Sequence, residues 1–478
     1  MKRLILALCL TLSTISTVFA ANSGKADPRS MTFPELRFVI PKAERIVLEC
    51  GMPVYLLRDT ELPIISMTAM VRTGSIHDPA TKSGLAHMTG SAMRSGGAGS
   101  LVPEKLDDEL DFMASSVESS IAADMGTVSL TSLSKNADRS LQIFCDVLLH
   151  PDFNEKRLEL IRKHLIEGLR RQNDDPKEIA DREIIRAIYS GHPLGAVPTF
   201  ASVNAITRQD VIDFHRRFFR VDNMILAVSG DFERSDMIRT LNAAFGKKPT
   251  SASPEPGEVP QPANAYKAET LYGRKAVNQT VIRMGHLGLI KDSPDIYAVR
   301  ILDYILGGSF TSRLTMEIRT NQGLAYNVDS HFDIGRRFTG TFIAETETKA
   351  ESTAKTIGLM REIISGMTKA EVSDQELKSA KEYIINSFMF GFTSPAAIVT
   401  QRARLEFYNY PDTYLESYRG NIAAVTKQDV LSAARKHLKP EAFKIVVVGD
   451  ASAFDKPLTT FGTVREVDLQ QNPDRSEK

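Results

Sequence analysis

The feature that most constrains this chain is that it repeats itself. Ala205-Ile206-Thr207-Arg208-Gln209-Asp210-Val211 returns as Ala424-Val425-Thr426-Lys427-Gln428-Asp429-Val430, an offset of 219 residues. Downstream, Ile225-Leu226-Ala227-Val228-Ser229-Gly230-Asp231 returns at the same offset as Lys444-Ile445-Val446-Val447-Val448-Gly449-Asp450. In both copies a Thr stands before a helical pattern that ends in basic residues, and a buried β-branched strand follows. Two separated blocks sharing one offset identify a duplicated domain.

With 478 residues the chain is too long for a single core. The copies are separated by residues 247–264, where Lys247-Lys248-Pro249 through Pro262-Ala263 holds five prolines and no hydrophobic period. That composition reads as an extended linker. It divides the chain into halves at 22–246 and 265–462, with a loosely ordered polar tail over 463–478. Val54–Leu57 and Ile64–Val71 read as strands joined by a polar turn. Leu158, Ile161, Leu165 and Leu169 line one helical face. The fold class expected is α+β: two homologous domains in tandem, each a sheet covered by helices.

Lys2 and Arg3 precede an apolar stretch from Leu4 to about Leu12, and small residues follow at Ala20-Ala21. This is the pattern of a secretory signal peptide over 1–20. The apolar stretch falls far short of the ~18–20 residues of a membrane span. The chain is therefore expected to be exported to the periplasm, with no stable membrane insertion. Its 59 basic and 59 acidic residues balance, which argues against nucleic acid as a partner. Cys50 and Cys145, the cysteines left after cleavage, could bridge, but two in a chain this size read as buried free thiols.

Gly84-Leu85-Ala86-His87-Met88-Thr89-Gly90-Ser91 follows a strand and opens a helix. It resembles the Gly-Leu-Ala-His-x-x-Glu-His segment of the pitrilysin/insulinase-type (inverzincin) metallopeptidases. In that family two His four residues apart bind zinc from one helical face, and the Glu between them is the general base. Here His87 is kept, but Gly90 stands at the base and Ser91 at the second ligand. Glycine cannot accept a proton, and a helical glycine costs about 1 kcal/mol relative to alanine, so nothing structural is expected to favour it.

The family's third ligand is a Glu on a later helix, with another Glu seven residues before it. Glu167 lies at the right distance from His87, but Leu160 holds the preceding position. Glu159 is one residue out of step, turned away by about 100°. A second register, counted back from Asn173-Asp174-Asp175-Pro176, places Gly168 and Ile161 at the two acid positions. Glu159 and Glu167 also sit four residues from Lys163, the spacing of ordinary surface ion pairs. The expectation is a degenerate set of remnants (His87, Gly90, Ser91, Glu167) with no catalytic residues and no zinc or other cofactor in this chain.

The second half keeps a different motif. Gly307-Gly308-Ser309-Phe310-Thr311-Ser312-Arg313-Leu314 leads into Glu317-Ile318-Arg319, and Gly323-Leu324-Ala325-Tyr326 closes it. This resembles the family segment whose Arg and Tyr, seven residues apart, face the zinc across an enclosed chamber and hydrogen-bond the substrate backbone. Arg319 and Tyr326 are the expected substrate-binding pair, and both can donate to a peptide carbonyl. Gly307 and Gly308 are expected to form a tight turn or a close backbone approach, and a peptide is expected to add to a sheet edge.

In small family members two such chains form a four-domain clamshell, and in some pairs only one chain holds zinc. The resemblance therefore implies a non-zinc subunit of the processing-peptidase-like branch. It would bind an oligopeptide substrate and pair with a homologous, zinc-bearing subunit as a heterodimer. A non-catalytic binding or scaffold protein of the same fold is the other class left open, and an independent peptidase with unorthodox ligands the third.

Overall fold

The computed structural model describes residues 38–247, 258–263 and 266–469. The segment expected to be a signal peptide, part of the proline-rich stretch and the end of the tail lie outside the described residues. Among the described residues twelve strands form two sheets. The first half supplies β1 (Glu44–Val47), β2 (Pro53–Arg58), β3 (Ile64–Val71), β4 (Ser116–Ile121), β5 (Gly126–Leu133) and β6 (Met224–Gly230). The second supplies β7 (Glu269–Arg274), β8 (Gln279–Leu287), β9 (Ala325–Phe332), β10 (Thr341–Lys349), β11 (Lys444–Gly449) and β12 (Val464–Glu466).

The sheet orders are β1-β2-β6-β3-β5-β4 and β12-β7-β11-β8-β10-β9. The repeat is thus visible strand by strand. The strands of the repeated motif, β6 and β11, run parallel to β2 and β7 and antiparallel to β3 and β8. The turn after β2 therefore does not make a hairpin, because β6 lies between β2 and β3. Thr207 and Thr426 open their helices with the same capping box. Each hydroxyl accepts the N–H of an Asp three residues on, at 3.2 and 3.1 Å, and each Asp accepts the Thr N–H at 2.8 Å.

The outermost strands break the symmetry. β1 precedes β2 and pairs antiparallel, whereas β12 comes from the end of the chain and pairs parallel to β7. Residues 464–466, expected as part of a loose tail, thus form an edge strand. Val467 donates its N–H to the Tyr272 carbonyl and is buried, which an apolar residue in a polar stretch achieves by pairing. The described part of the proline-rich stretch is also tied down. Pro260 offers its carbonyl to Nε2 of the buried His192 at 2.8 Å, and Gln261 hydrogen-bonds the Arg337 carbonyl and the Thr339 N–H.

Each sheet packs one face on helices of its own half. The other face is covered by a helix from the opposite half. Helix Pro176–Ile188 lays Ile179, Ala180 and Ile184 on Leu271, Val281, Val446 and Val448 of the second sheet. Helix Pro395–Phe407 lays Val399, Ala403 and Phe407 on Met70, Ile225 and Ala227 of the first. Ion pairs mark the exchange. Glu406 takes two bonds from Arg45, at 2.7 and 2.8 Å, and one from the Tyr55 hydroxyl at 2.7 Å. Lys177 reaches Glu347 at 2.7 Å, and Arg283 reaches Asp181 at 2.6 Å.

This exchange explains why β6 and β11 are apolar on both faces. Burying four such side chains (Ile179, Ile184, Val446, Val448) is worth roughly 6–12 kcal/mol, as much as the whole net stability of a typical domain. The halves should therefore not fold separately. Expressed alone, residues 38–246 are expected to aggregate or to bind the dye ANS strongly, and co-expression with 258–469 should restore a soluble two-piece complex. A monomeric, cooperatively melting first half on its own would contradict the exchange.

Candidate functional site

The helix that carries the degenerate zinc motif runs from Leu85 to Ser95. Gly84 opens it with φ of 105°, a left-handed conformation that glycine adopts without strain. The cap comes from upstream. The Asp78 carboxylate accepts the N–H groups of Gly84 at 2.8 Å and Ala86 at 2.9 Å. Burial pushes the Asp78 carboxyl up to about 6 despite those bonds. The sequence offered no sign of this cap, because Asp78 lies beyond the usual capping positions.

This helix lies along the outer edge of β4. The Arg94 guanidinium donates to the Val117 carbonyl at 3.0 Å, and the Ser119 hydroxyl donates to the Gly90 carbonyl at 2.6 Å. A Cβ placed on Gly90 would stand 2.7 Å from the Ile121 nitrogen and 3.0 Å from the Ile121 Cγ1. This corrects the expectation that nothing structural favours glycine at that position: the close approach of helix to strand requires it. A Glu there has no room for its side chain. His87 is exposed and Ser91 is half-buried on the same helix.

Glu167 lies on helix Glu155–Arg171, which packs against the helix of His87. Its carboxylate pairs with Arg171 at 2.7 Å and Arg170 at 3.6 Å. Glu159 pairs with Arg162. These are surface pairs of the kind the spacing suggests, but with arginines in place of Lys163. Gly168 is exposed and Leu160 is largely so. Among the described residues no three His, Cys, Asp or Glu side chains gather as a metal-holding group. The residues at the family's zinc positions do not fit the ion. Cys50 and Cys145 are free and buried, and burial raises the Cys145 thiol to about 12.

The second motif forms an ordered, open site. Helix Ile296–Leu306 ends at Gly307, where a Cβ would fall 2.2 Å from the Ser330 nitrogen of β9. Gly307 is thus the close approach that the glycine pair led one to expect. The chain then enters a π-helix, Thr315–Asn321, which carries Arg319. Gly323, with φ of 61°, turns the chain into β9, whose second residue is Tyr326.

Three interactions fix this segment. The Thr315 hydroxyl donates to the Val328 carbonyl at 3.1 Å, fastening the π-helix to β9. Arg313 makes two bonds to Glu376, at 2.7 and 3.0 Å. Although burial alone would raise it, the bonds from Arg313 and Ser373 hold Glu376 down to about 2. The Arg319 guanidinium lies 4.9 Å from the Tyr326 ring centroid and 5.8 Å from that of Phe310. Such stacking holds the cation in place while leaving its N–H edge free to donate. Tyr326 and Phe310 are 84 % and 80 % exposed, high values for large aromatic side chains. A cavity of about 440 Å³ opens beside them, lined by Tyr304, Gly308, Phe310, Arg319, Asn327 and Tyr383 among others.

Phe310 was missed as a site residue. It lies inside the motif, but only the fold shows it exposed against Arg319. The expected addition of a peptide to a sheet edge meets an obstacle at β9. Asp303 accepts the Phe332 N–H at 3.0 Å, Thr315 takes the Val328 carbonyl, and Gly307 lies against Ser330, so these rungs of the outer edge are already taken. Val117 is similarly capped by Arg94 on β4.

Comparisons with known proteins show the family and the fold. Residues 54–198 match the family model for insulinase, peptidase family M16, and residues 205–384 match that for the peptidase M16 inactive domain. The chain belongs to peptidase family M16. It is 21% identical over 398 residues to an uncharacterized zinc protease, YmxG, of Bacillus subtilis, covering 82% of this chain and 95% of the relative. It is 24% identical over 265 residues to a non-peptidase homolog, YmxG, of Helicobacter pylori, covering 54% and 60%. A solved peptidase M16 inactive domain from Pseudomonas fluorescens superposes with a TM-score of 0.79 at 27% identity, covering 87% of this chain and all of that one.

The packing of Gly90 gives a direct test. At an exposed helical site Gly→Ala gains about 1 kcal/mol. Here the added methyl meets the backbone of β4, and overpacking of that sort costs roughly 1–3 kcal/mol. Gly90→Ala should therefore lower the denaturant midpoint. Gly90→Glu combined with Ser91→His should destabilise further and bind no zinc in equilibrium dialysis. A more stable alanine variant would mean that the helix is free to move away from β4.

Proposed function

We propose that this chain is the substrate-binding, non-zinc subunit of a heterodimeric peptidase that degrades or processes oligopeptides after export to the periplasm. The observation that carries the reading is the contrast between its two motifs. At the zinc positions glycine is packed where the base would stand. At the second motif Arg319, Tyr326 and Phe310 present an exposed, braced surface beside an open cavity.

The chemistry follows from the donors. The Arg319 fork and the Tyr326 hydroxyl both donate, so both suit a peptide carbonyl and the oxyanion that develops from it on hydrolysis. Phe310 offers a flat apolar face to an adjoining side chain. This chain supplies neither the base nor the metal, so the attacking water must be activated on a homologous partner that carries an intact HxxEH. Peptides would be bound by one subunit and cut at the other, across the chamber of a four-domain clamshell. The other reading, a non-catalytic scaffold, makes the same stacked trio a relic.

Co-expression with a homologous subunit bearing HxxEH tests the two. Purified alone, this chain should hold less than stoichiometric zinc and hydrolyse no peptide, whereas the complex should do both. Arg319→Ala in the complex should lower kcat/KM by about 10²-fold or more, the scale of losing one oxyanion donor, with zinc content unchanged. Full activity of the Arg319→Ala complex would favour the scaffold. Hydrolysis by the lone chain would sink the subunit reading outright.

A further inference from the structure

The chain carries equal numbers of basic and acidic residues, yet the charges are unevenly placed around the exchanged helix Pro395–Phe407. One cavity, of about 890 Å³, is electrically balanced. Its Glu406 and Glu416 are paired with Arg45 and Arg402, at 2.7 and 2.8 Å. A second cavity of about 550 Å³ lies beside it, sharing Leu405 and Tyr410. Arg300, Arg336 and Arg404 line this one against a single acid, Asp333. None of the three arginines forms an ion pair with a carboxylate among the described residues.

Three different elements bring these arginines together. Arg300 comes from helix Ile296–Leu306, Arg404 from the exchanged helix Pro395–Phe407, and Arg336 from the loop between β9 and β10. That loop is held closed, because the Gly335 and Gly340 N–H groups both donate to the Leu289 carbonyl, at 3.0 and 3.1 Å. Arg300 is the deep member. Its Nε is buried without an acceptor, and Tyr414 and Tyr418 flank it. The Arg336 guanidinium stacks 5.4 Å from the Tyr408 ring, and Arg336 and Arg404 are exposed at the mouth. The positive character extends beyond the cavity. His77 is pushed down to about 4, first by burial and then by Arg337 and Arg217.

Two of these guanidinium groups are held against aromatic rings, Arg300 has only the buried Asp303 of its own helix as a neighbouring acid, and Arg336 and Arg404 present open donor edges at the mouth, so the cleft can receive external carboxylates. We infer that this cleft is a subsite for the acidic side chains of a bound peptide, with Arg336 and Arg404 receiving carboxylates at the mouth and Arg300 at depth. The inference rests on the peptide-binding reading above and specifies the substrate class: acidic segments in preference to basic ones.

The test uses the purified full chain and two labelled peptides of equal length, identical except that glutamates in one are glutamines in the other. In fluorescence anisotropy at low salt, the glutamate peptide should bind about tenfold more tightly, the scale of one or two charge-assisted contacts at a partly exposed site. The advantage should shrink as salt is raised. It should vanish in the Arg336→Gln/Arg404→Gln double variant, whose melting curve shows that these exposed changes leave the fold intact. Arg319→Ala should weaken both peptides alike and leave the preference standing.

Equal binding of the two peptides by the natural chain would overturn the inference while sparing the peptide-binding reading. A preference that survives the double variant would also overturn it. So would citrate or phosphate binding that depends on Arg336 and Arg404 without any peptide preference, since it would mark a small-anion site. If neither peptide binds, the peptide-binding reading fails and this subsite falls with it.

Discussion

Strands β6 and β11 are apolar along nearly their whole length, and a strand of that kind needs cover on both faces. Each half can supply helices for one face only. The second face is closed by the helix that the other half sends across, Pro395–Phe407 over β6 and Pro176–Ile188 over β11. The rest of the architecture depends on this reciprocal burial. It forms the boundary along which the 890 Å³ cavity opens, lined by Arg45 and Tyr55 of the first half and Leu405 and Tyr410 of the second. It also carries Glu406 into contact with Arg45 and Tyr55, surroundings that neither half could build alone.

The two candidate sites differ in how their helices meet the sheet edge. Beside β4, a glycine lets the helix close onto the strand, and Arg94 and Ser119 seal the seam. Beside β9, a glycine again permits close approach, but the chain then enters a π-helix, fastened to the strand by Thr315, that lays Arg319 against the exposed ring of Tyr326. The same device, a side chain omitted at a helix–strand contact, closes one site and braces the other. What was lost from the first half is therefore more than a base and a ligand: the space that a side chain at position 90 would occupy has been taken by Ile121.

Much of this was legible in the sequence. The shared offset of the Thr-capped helix and the following strand identified the duplication, and the structure places both copies in equivalent positions with matching capping bonds. Strand β3 falls where its apolar pattern placed it, and the face of Leu158, Ile161, Leu165 and Leu169 packs on the first core. Three features were not legible, each because it depends on residues far apart in the chain. The exchange of helices leaves no local mark, since Ile179 and Val399 read as ordinary core residues in their own half. The need for Gly90 is set by β4, some thirty residues on. The arginine cleft is assembled from three elements with no shared motif, so neutral overall composition concealed it.

The exchange also governs the order in which the molecule can be completed. A chain emerging from its N-terminus presents β1 to β6 in full while the helix that must close their outer face, Pro395–Phe407, has yet to be made. Met70, Ile225 and Ala227 then lack that cover until residue 407 arrives, far later in synthesis. The first half is thus obliged to wait in a partly open state, exposed to any factor that recognises apolar surface, and it locks only when the second half reaches back. A repeat that evolved by copying a self-contained domain has in this way become a single folding unit with a built-in delay.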